Sequence, residues 1–226
     1  DSSVHLHEWR LRSAALLPHV ATGPPVDEAP LRRGGHGYTT PCENPPVNTD
    51  AIAKAAQRLK PIVRETPLEP CARLSQYLQE PVYLKREDVQ IGRSYKVRGA
   101  YNFISSLTDA QREKGVVSAS AGNHAQGVAF ACRRLRTRGT IYLPSSTPRQ
   151  KRERIADIGG RWIEQVIVGS IFDDTQTAAL AHARELGAVF VPAFDDADIV
   201  AGQGTVAVEI LEQHTEPIDT IVVPVG

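Results

Sequence analysis

The chain contains no methionine, only three cysteines and few aromatic residues (6%), and its 26 basic and 26 acidic residues cancel to a formal charge of zero. Each shortage excludes something. Cys42, Cys71 and Cys132 are odd in number, widely spaced and without a CxxC pair. That argues against a disulfide framework or a zinc knuckle, and for free thiols in a reducing compartment, the cytoplasm. A balanced charge argues against a general nucleic-acid or anionic-membrane binder, which would carry a basic excess. No apolar run approaches the roughly 20 residues that a membrane-spanning helix needs. The missing methionine, and a last stretch (residues 220–226) that reads as a strand running into a turn, imply an incomplete chain, truncated at its C-terminus.

What remains is 226 residues that are 41% hydrophobic, enough for one large domain or two small ones with a real core. Residues 1–48 stand apart. They are rich in proline, include Gly34-Gly-His-Gly37 and show no sustained periodicity, so they read as loop or disorder. The apolar piece Ala14-Ala-Leu-Leu17 is cut off by Pro18 and is too short for a secretory signal. His5, His7, His19 and His36 lack the spacing of metal ligands, and no metal is expected.

From residue 49 the pattern becomes regular. Asn48 or Thr49 can cap a helix through Leu59 that Pro61 ends. The sequence then predicts strands at 81–85, 116–120, 140–144, 162–168, 188–194 and 220–225, and helices at 94–107, 123–135, 148–158, 173–186 and 204–213. Strands alternating with helices imply an α/β fold, a parallel sheet with helices on its faces. Such sheets bind ligands where strands end and helices begin.

Three strand-to-helix turns therefore carry the interest. In Gln90-Ile-Gly-Arg-Ser-Tyr-Lys-Val-Arg-Gly99, Ser94 is a good N-cap and Lys96 falls in the first helical turn. The positive end of the helix dipole disfavours an ammonium there and lowers the lysine pKa. A neutral amine is what Schiff-base chemistry needs, although on this ground alone a solvated surface lysine is the commoner outcome. In Ser118-Ala-Ser-Ala-Gly-Asn-His-Ala-Gln-Gly127, a strand opens into a helix whose first amides suit a carboxylate or phosphate. The third turn delivers Gly226 at the end of a strand, by itself a faint signal. Gly202-Gln-Gly-Thr-Val-Ala207 fits a dinucleotide-binding fingerprint, but an acidic loop separates it from the strand before it. Helix–sheet packing explains these glycines better.

Lys85-Arg-Glu-Asp88, Ser94-Tyr-Lys-Val-Arg-Gly-Ala-Tyr101 and Ser120-Ala-Gly-Asn-His-Ala-Gln-Gly127 occur in that order. Together they resemble the threonine dehydratase (threonine ammonia-lyase) family of fold-type II pyridoxal-phosphate (PLP) enzymes. The likeness extends through Thr66-Pro-Leu68, Thr147-Pro-Arg-Gln-Lys-Arg152, Phe194-Asp-Asp196 and Gly202-Gln-Gly-Thr205, and covers residues 49–226.

The resemblance implies two three-layer α/β domains with parallel sheets and PLP in the cleft. Residues 90–189 would form the smaller domain, inserted into a larger one made from 49–89 and 190–226. It implies Lys96 as the Schiff-base lysine and Asn123 as the partner of the cofactor's 3′-hydroxyl. Ser120, Ala121, Gly122, Asn123 and His124 would form the loop that receives the substrate carboxylate, and Gly226 the first glycine of a phosphate-cradling loop. The implied reaction is dehydration and deamination of L-threonine to 2-oxobutanoate and ammonia, the first step of isoleucine biosynthesis, with L-serine as a further substrate. Serine racemase, a catabolic dehydratase, a cysteine synthase or an inactive fragment are the alternatives. A cytoplasmic homo-oligomer, dimer or tetramer, with no nucleic-acid or membrane partner, is expected. Tyr95 stands where the family often has phenylalanine. The rest of the phosphate loop and the residue that faces the pyridine nitrogen lie beyond this sequence.

Overall fold

The computed structural model describes the two-residue strand β1 (Trp9–Arg10) and residues 47–223. Gly226 and most of the stretch read as loop or disorder lie outside the described residues. The chain divides into two compact units, one of Cys42–Gln213 and one that joins Asp1–Pro41 to His214–Gly226. In the second unit, β1 pairs antiparallel with β8 (Thr220–Ile221). The strand expected at 220–225 is therefore short, and its described pairing is with β1 and not with the parallel sheet.

The first unit opens with α1 (Thr49–Leu59), whose N-terminus is closed by Asn48: its side chain accepts from Ala51 N at 2.9 Å. A small antiparallel pair follows, β2 (Leu68–Pro70) with β3 (Tyr83–Lys85), joined through the short helix α2 (Ala72–Leu78). Neither β2 nor α2 was expected from the sequence, being three and seven residues long. Next come α3 (Lys96–Ser106) and α4 (Asp109–Lys114). The latter is also unanticipated and is closed by a capping box between Thr108 and Gln111.

Four strands then build the sheet: β4 (Val116–Ala119), β5 (Gly139–Leu143), β6 (Ile163–Ile167) and β7 (Val189–Phe190), in the order β6-β5-β4-β7. Every pairing in it is parallel. Between them run α5 (Asn123–Leu135), α6 (Arg149–Gly159) and α7 (Phe172–Leu186), with α8 (Ala197–Gln213) after the last strand. Period-two alternation sends alternate side chains to opposite faces. Val116, Ile141 and Leu143 join a core with residues of α3, α5 and α6, while Val117, Ala119 and Tyr142 pack with Ala179 and Ala183 of α7. All of β4 is buried, as a central strand covered on both faces must be. Cys132 lies inside the first of these cores as a free thiol, pushed up to about 12 by burial and so held inert.

Helix α8 corrects the sequence reading most. A start at Gly204 was expected, after a loop rich in aspartate. The helix instead begins at Ala197, because Asp196 caps it: Asp196 Oδ1 accepts from Asp198 N at 2.8 Å and Ile199 N at 3.2 Å. Strand β7 accordingly stops at Phe190 rather than Phe194. The glycines of the false dinucleotide fingerprint lie inside α8. A Cβ on Gly202 would sit 2.6 Å from Gly99 Cα and 2.7 Å from the Arg98 carbonyl. The backbones of α3 and α8 thus touch at this crossing, and only glycine allows that approach.

The same crossing holds a buried ionic cluster. The Arg98 guanidinium, 1% exposed, donates to both carboxylate oxygens of Glu87 (3.0 and 2.7 Å) and of Glu209 (2.6 and 3.0 Å), and to Thr205 Oγ1 (3.2 Å). All five of its N–H groups are used. Lys85 Nζ adds bonds to Glu209 (2.6 Å), Gln213 Oε1 (3.0 Å) and the Thr66 carbonyl (2.5 Å), while Thr66 Oγ1 donates to Glu87 at 2.6 Å. Burial works against the Arg98 charge, yet its bonds to Glu87 and Glu209 outweigh that and raise its pKa. Burial likewise pushes the Glu209 carboxyl up, and Arg98 and Lys85 bring it below the usual carboxylate range. Two cations and two carboxylates leave the cluster neutral.

Glu209→Ala would leave the two buried cations Arg98 and Lys85 with Glu87 as the one remaining carboxylate, so that one positive charge is unmatched. Urea denaturation of the protein is expected to show a loss of about 3–5 kcal/mol. Arg149→Ala breaks only the exposed pair with Glu153 and is expected to cost less than about 1 kcal/mol.

Candidate active site

Lys96 is the first residue of α3, and its setting is built by the chain before it. The buried Gln90 side chain accepts from Arg64 N and Ile91 N, both at 3.0 Å, and donates to Arg64 O at 2.7 Å. Gly92 and Arg93 both take left-handed backbone angles (φ 78° and 57°), which turns the chain sharply into the helix. The N-cap position falls to Tyr95 rather than Ser94, a correction to the sequence reading. Ser94 is extended, and its hydroxyl reaches Lys96 N at 3.4 Å.

The Lys96 side chain is partly buried. Its amine donates to the Ala193 carbonyl at 2.8 Å and stands 5.4 Å from the centre of the Tyr95 ring. Burial lowers its pKa, so the direction matches the sequence argument, with desolvation as the cause.

The second turn meets Lys96 from the sheet side. Gly127 of α5 faces the lysine backbone so closely that a Cβ there would lie 2.9 Å from the Lys96 carbonyl. The helix start itself is open. Ser120 N donates to the Tyr142 carbonyl at 3.2 Å, and Gly122 N to Ser120 Oγ at 3.2 Å. The amides of Asn123, His124 and Ala125 have no carbonyl four residues back within the helix. A Cβ on Gly122 would meet nothing within 4 Å. Asn123 is exposed, and its side chain has no hydrogen-bond partner among the described residues.

His124, next in the chain, turns inward and is 4% exposed. Its Nε2 lies 3.3 Å from the Val191 carbonyl, which also accepts from Ser118 Oγ at 3.3 Å. Nδ1 is buried without a partner. Burial, with a smaller contribution from the Lys96 charge, lowers the ring pKa to about 4, against the bond to Val191.

Of the residues singled out in the sequence, Lys96, Ser120, Ala121, Gly122, Asn123 and His124 thus belong to one neighbourhood, tied by the Gly127 contact and the bonds to residues 191–193. Gly226 lies outside the described residues. The sequence reading missed the part played by Val191 and Ala193. Both act through backbone carbonyls, which leave no side-chain signature. Two open hollows, about 560 Å³ beside Arg133 and Trp162 and about 660 Å³ beside Leu74 and Tyr77, involve none of these residues. Among the described residues no cluster could hold a metal ion, and no helix is long and apolar enough to cross a membrane.

A family model described as "Pyridoxal-phosphate dependent enzyme" matches residues 59–226. The chain is 51% identical over 175 residues to the L-threonine dehydratase biosynthetic IlvA of Mycobacterium bovis, covering 77% of this chain and 41% of that protein. It is 47% identical over 176 residues to the protein of the same name from Bacillus subtilis, covering 77% and 42%. The chain thus spans less than half the length of these curated relatives. Among solved structures, the processed form of threonine deaminase isoform 2 from Solanum lycopersicum superimposes with a TM-score of 0.67 at 38% identity, covering 79% of this chain and 54% of that one. Maize serine racemase superimposes with a TM-score of 0.71 at 31% identity, covering 75% and 51%.

The lowered pKa of His124 has a consequence for stability. Between pH 6.5, its ordinary value, and about 4, the unfolded chain binds a proton on this ring that the folded protein does not. The His124 contribution is therefore complete above pH about 6.5 and is lost as the pH falls toward 4, by up to about 3 kcal/mol. Thermal unfolding measured across that range is expected to show the decline, and His124→Gln is expected to flatten it.

Proposed function

This chain belongs to the family of pyridoxal-phosphate dependent enzymes, and from that premise we propose that the whole protein is a threonine dehydratase of the biosynthetic kind. It converts L-threonine to 2-oxobutanoate and ammonia, the entry to isoleucine formation, and acts on L-serine to give pyruvate. The observation that carries the reading is the Lys96 amine: partly buried, lowered in pKa, and beside a helix start that leaves its amides and the Asn123 side chain unpartnered. Identity of about half with biosynthetic threonine dehydratases supports the choice of substrate.

The residues fit the cofactor. A carbonyl-bearing group needs an amine available in its neutral form, and desolvation favours that form at Lys96. A ring hydroxyl needs a polar partner, and the exposed Asn123 amide is unengaged among the described residues. Lys96 would hold the group covalently, Asn123 would bond its hydroxyl, and a loop starting at Gly226 would take its phosphate, the last on resemblance alone. When bound, pyridoxal phosphate supplies an electron sink for the pair released at the substrate Cα.

The chain's own residues do the rest. The amine of Lys96, once free, removes the Cα proton. The turn from Ser120 through Ala121, Gly122 and Asn123 to His124 receives the substrate carboxylate on helix-start amides. Burial of His124 keeps that turn from carrying a second positive charge next to Lys96.

The division into a small domain (90–189) and parts of a larger one (49–89 and 190–226) belongs to the same proposal. It draws support from the parallel strands β4 to β7, which span residues 116–190. A homo-oligomer, dimer or tetramer, in the cytoplasm completes it. A second reading, a racemase acting on serine, is favoured by the likeness to maize serine racemase.

Purified whole protein loaded with pyridoxal phosphate is expected to release 2-oxobutanoate from L-threonine. Lys96→Ala is expected to lower that rate at least about a thousandfold. Normal turnover by the variant would overturn the role of Lys96. Formation of D-serine from L-serine, without 2-oxobutanoate from threonine, would favour the racemase.

A further inference from the structure

We propose that His124 is a positioning residue for the Lys96 amine, acting through the backbone of residues 191–193. This deepens the reading of Lys96 as the cofactor-bearing lysine and rests on it.

Val191 is held three ways, two of them at its carbonyl. The carbonyl accepts from Ser118 Oγ and from His124 Nε2, each at 3.3 Å, and the amide of the same residue donates to the Val117 carbonyl at 2.8 Å. Two residues later the Ala193 carbonyl accepts from Lys96 Nζ at 2.8 Å. Pro192 stands between them, with its φ locked by the ring and the freedom of Val191 restricted by the ring's bulk. A three-residue segment this stiff carries a displacement at Val191 on to Ala193.

A carbonyl oxygen can only accept, so His124 Nε2 carries the hydrogen and Nδ1 is the bare nitrogen. That fits its surroundings. Lys96 is the charged group facing the ring, and a proton on Nδ1 would sit buried and unmatched. Helix geometry adds the second half of the argument. Gly127 is three residues after His124 and shares its face of α5. Gly127 meets the Lys96 backbone, and His124 meets the segment that receives the Lys96 amine. One helix face therefore sets both ends of the lysine, while the neighbouring Asn123 points outward.

The test uses the whole protein and has two arms. Borohydride reduction of the loaded enzyme followed by peptide mapping reports which lysine bears the cofactor. A residue other than Lys96 would overturn the underlying reading and, with it, this one. With Lys96 established, the cofactor dissociation constant is measured for His124→Leu, His124→Gln and Ser118→Ala. In the cofactor-free proteins, the pH midpoint for acylation of Lys96 is followed by mass spectrometry.

His124→Leu is expected to weaken cofactor binding about tenfold or more, and to move the acylation midpoint up toward that of an ordinary lysine as water reaches the amine. His124→Gln, whose amide can still donate to Val191, is expected to restore both. Ser118→Ala removes the other donor from the same carbonyl and is expected to move both readouts the same way by less. It decides the matter if the leucine variant does not fold. Wild-type affinity and midpoint in His124→Leu, or in Ser118→Ala if that variant alone folds, would overturn the proposal. So would a fall in melting temperature with neither readout changed, or a glutamine variant no better than the leucine one.

Discussion

The Arg98 guanidinium is the point at which the first unit is tied together. Its five N–H groups reach Glu87 in a 3₁₀ turn and Thr205 and Glu209 on α8, and through Glu209 they engage Lys85 at the end of β3. The partners lie up to 111 residues away in sequence. A buried guanidinium is tolerable only when fully bonded and charge-matched, and here both conditions are met by two carboxylates and a second cation. Such a cluster need not add net stability, yet it is intolerant of partial loss: an apolar replacement of the whole set can be neutral, whereas loss of one member is severe. Because Arg98 is two residues beyond Lys96, satisfying the cluster also sets the first turn of α3.

Close backbone packing does the remaining positioning. Helix α3 is pressed against α8 at Gly99 and Gly202, and against α5 where Gly127 meets the carbonyl of Lys96. Neither approach leaves room for a Cβ, so the lysine backbone has no freedom to drift relative to the turn that follows β4. That turn stands at the carboxyl end of a parallel sheet, where helix-start amides face outward. The amine is then set by residues after β7. Three distant stretches, around residues 96, 122 and 192, meet because the sheet brings the ends of β4 and β7 side by side.

Much of the architecture was legible along the chain. Helices at 49–59 and 123–135 stand at the residues expected, because each combines an apolar face with a clear start and stop. The strands from 116 to 167 also agree to within a residue or two. The reading failed where elements were short or where tertiary contacts overruled local preference. Helices α2 and α4 have seven and six residues, too few for a periodic signal. The start of α8 was misplaced because aspartates were read as loop when one of them is a cap. Packing against α3 at Gly202, and against Ile52 of α1 at Gly204, makes both glycines favourable inside a helix.

The sequence by itself determined the alternating α/β order, the parallel sheet and the identity of Lys96 and the Ser120–His124 turn as residues of interest. These rest on local chemistry, namely caps, periodicity and motif residues, which can be read along the chain. Tertiary structure alone decided that Lys85, Glu87, Arg98 and Glu209 form one neutral cluster, that Gly99, Gly127 and Gly202 mark crossings, and that the Lys96 amine meets the Ala193 carbonyl. The reason is physical. Desolvation, charge matching and backbone contact depend on what is brought near from far along the chain, and a carbonyl that accepts a hydrogen bond is chemically the same at every residue until the fold aims it.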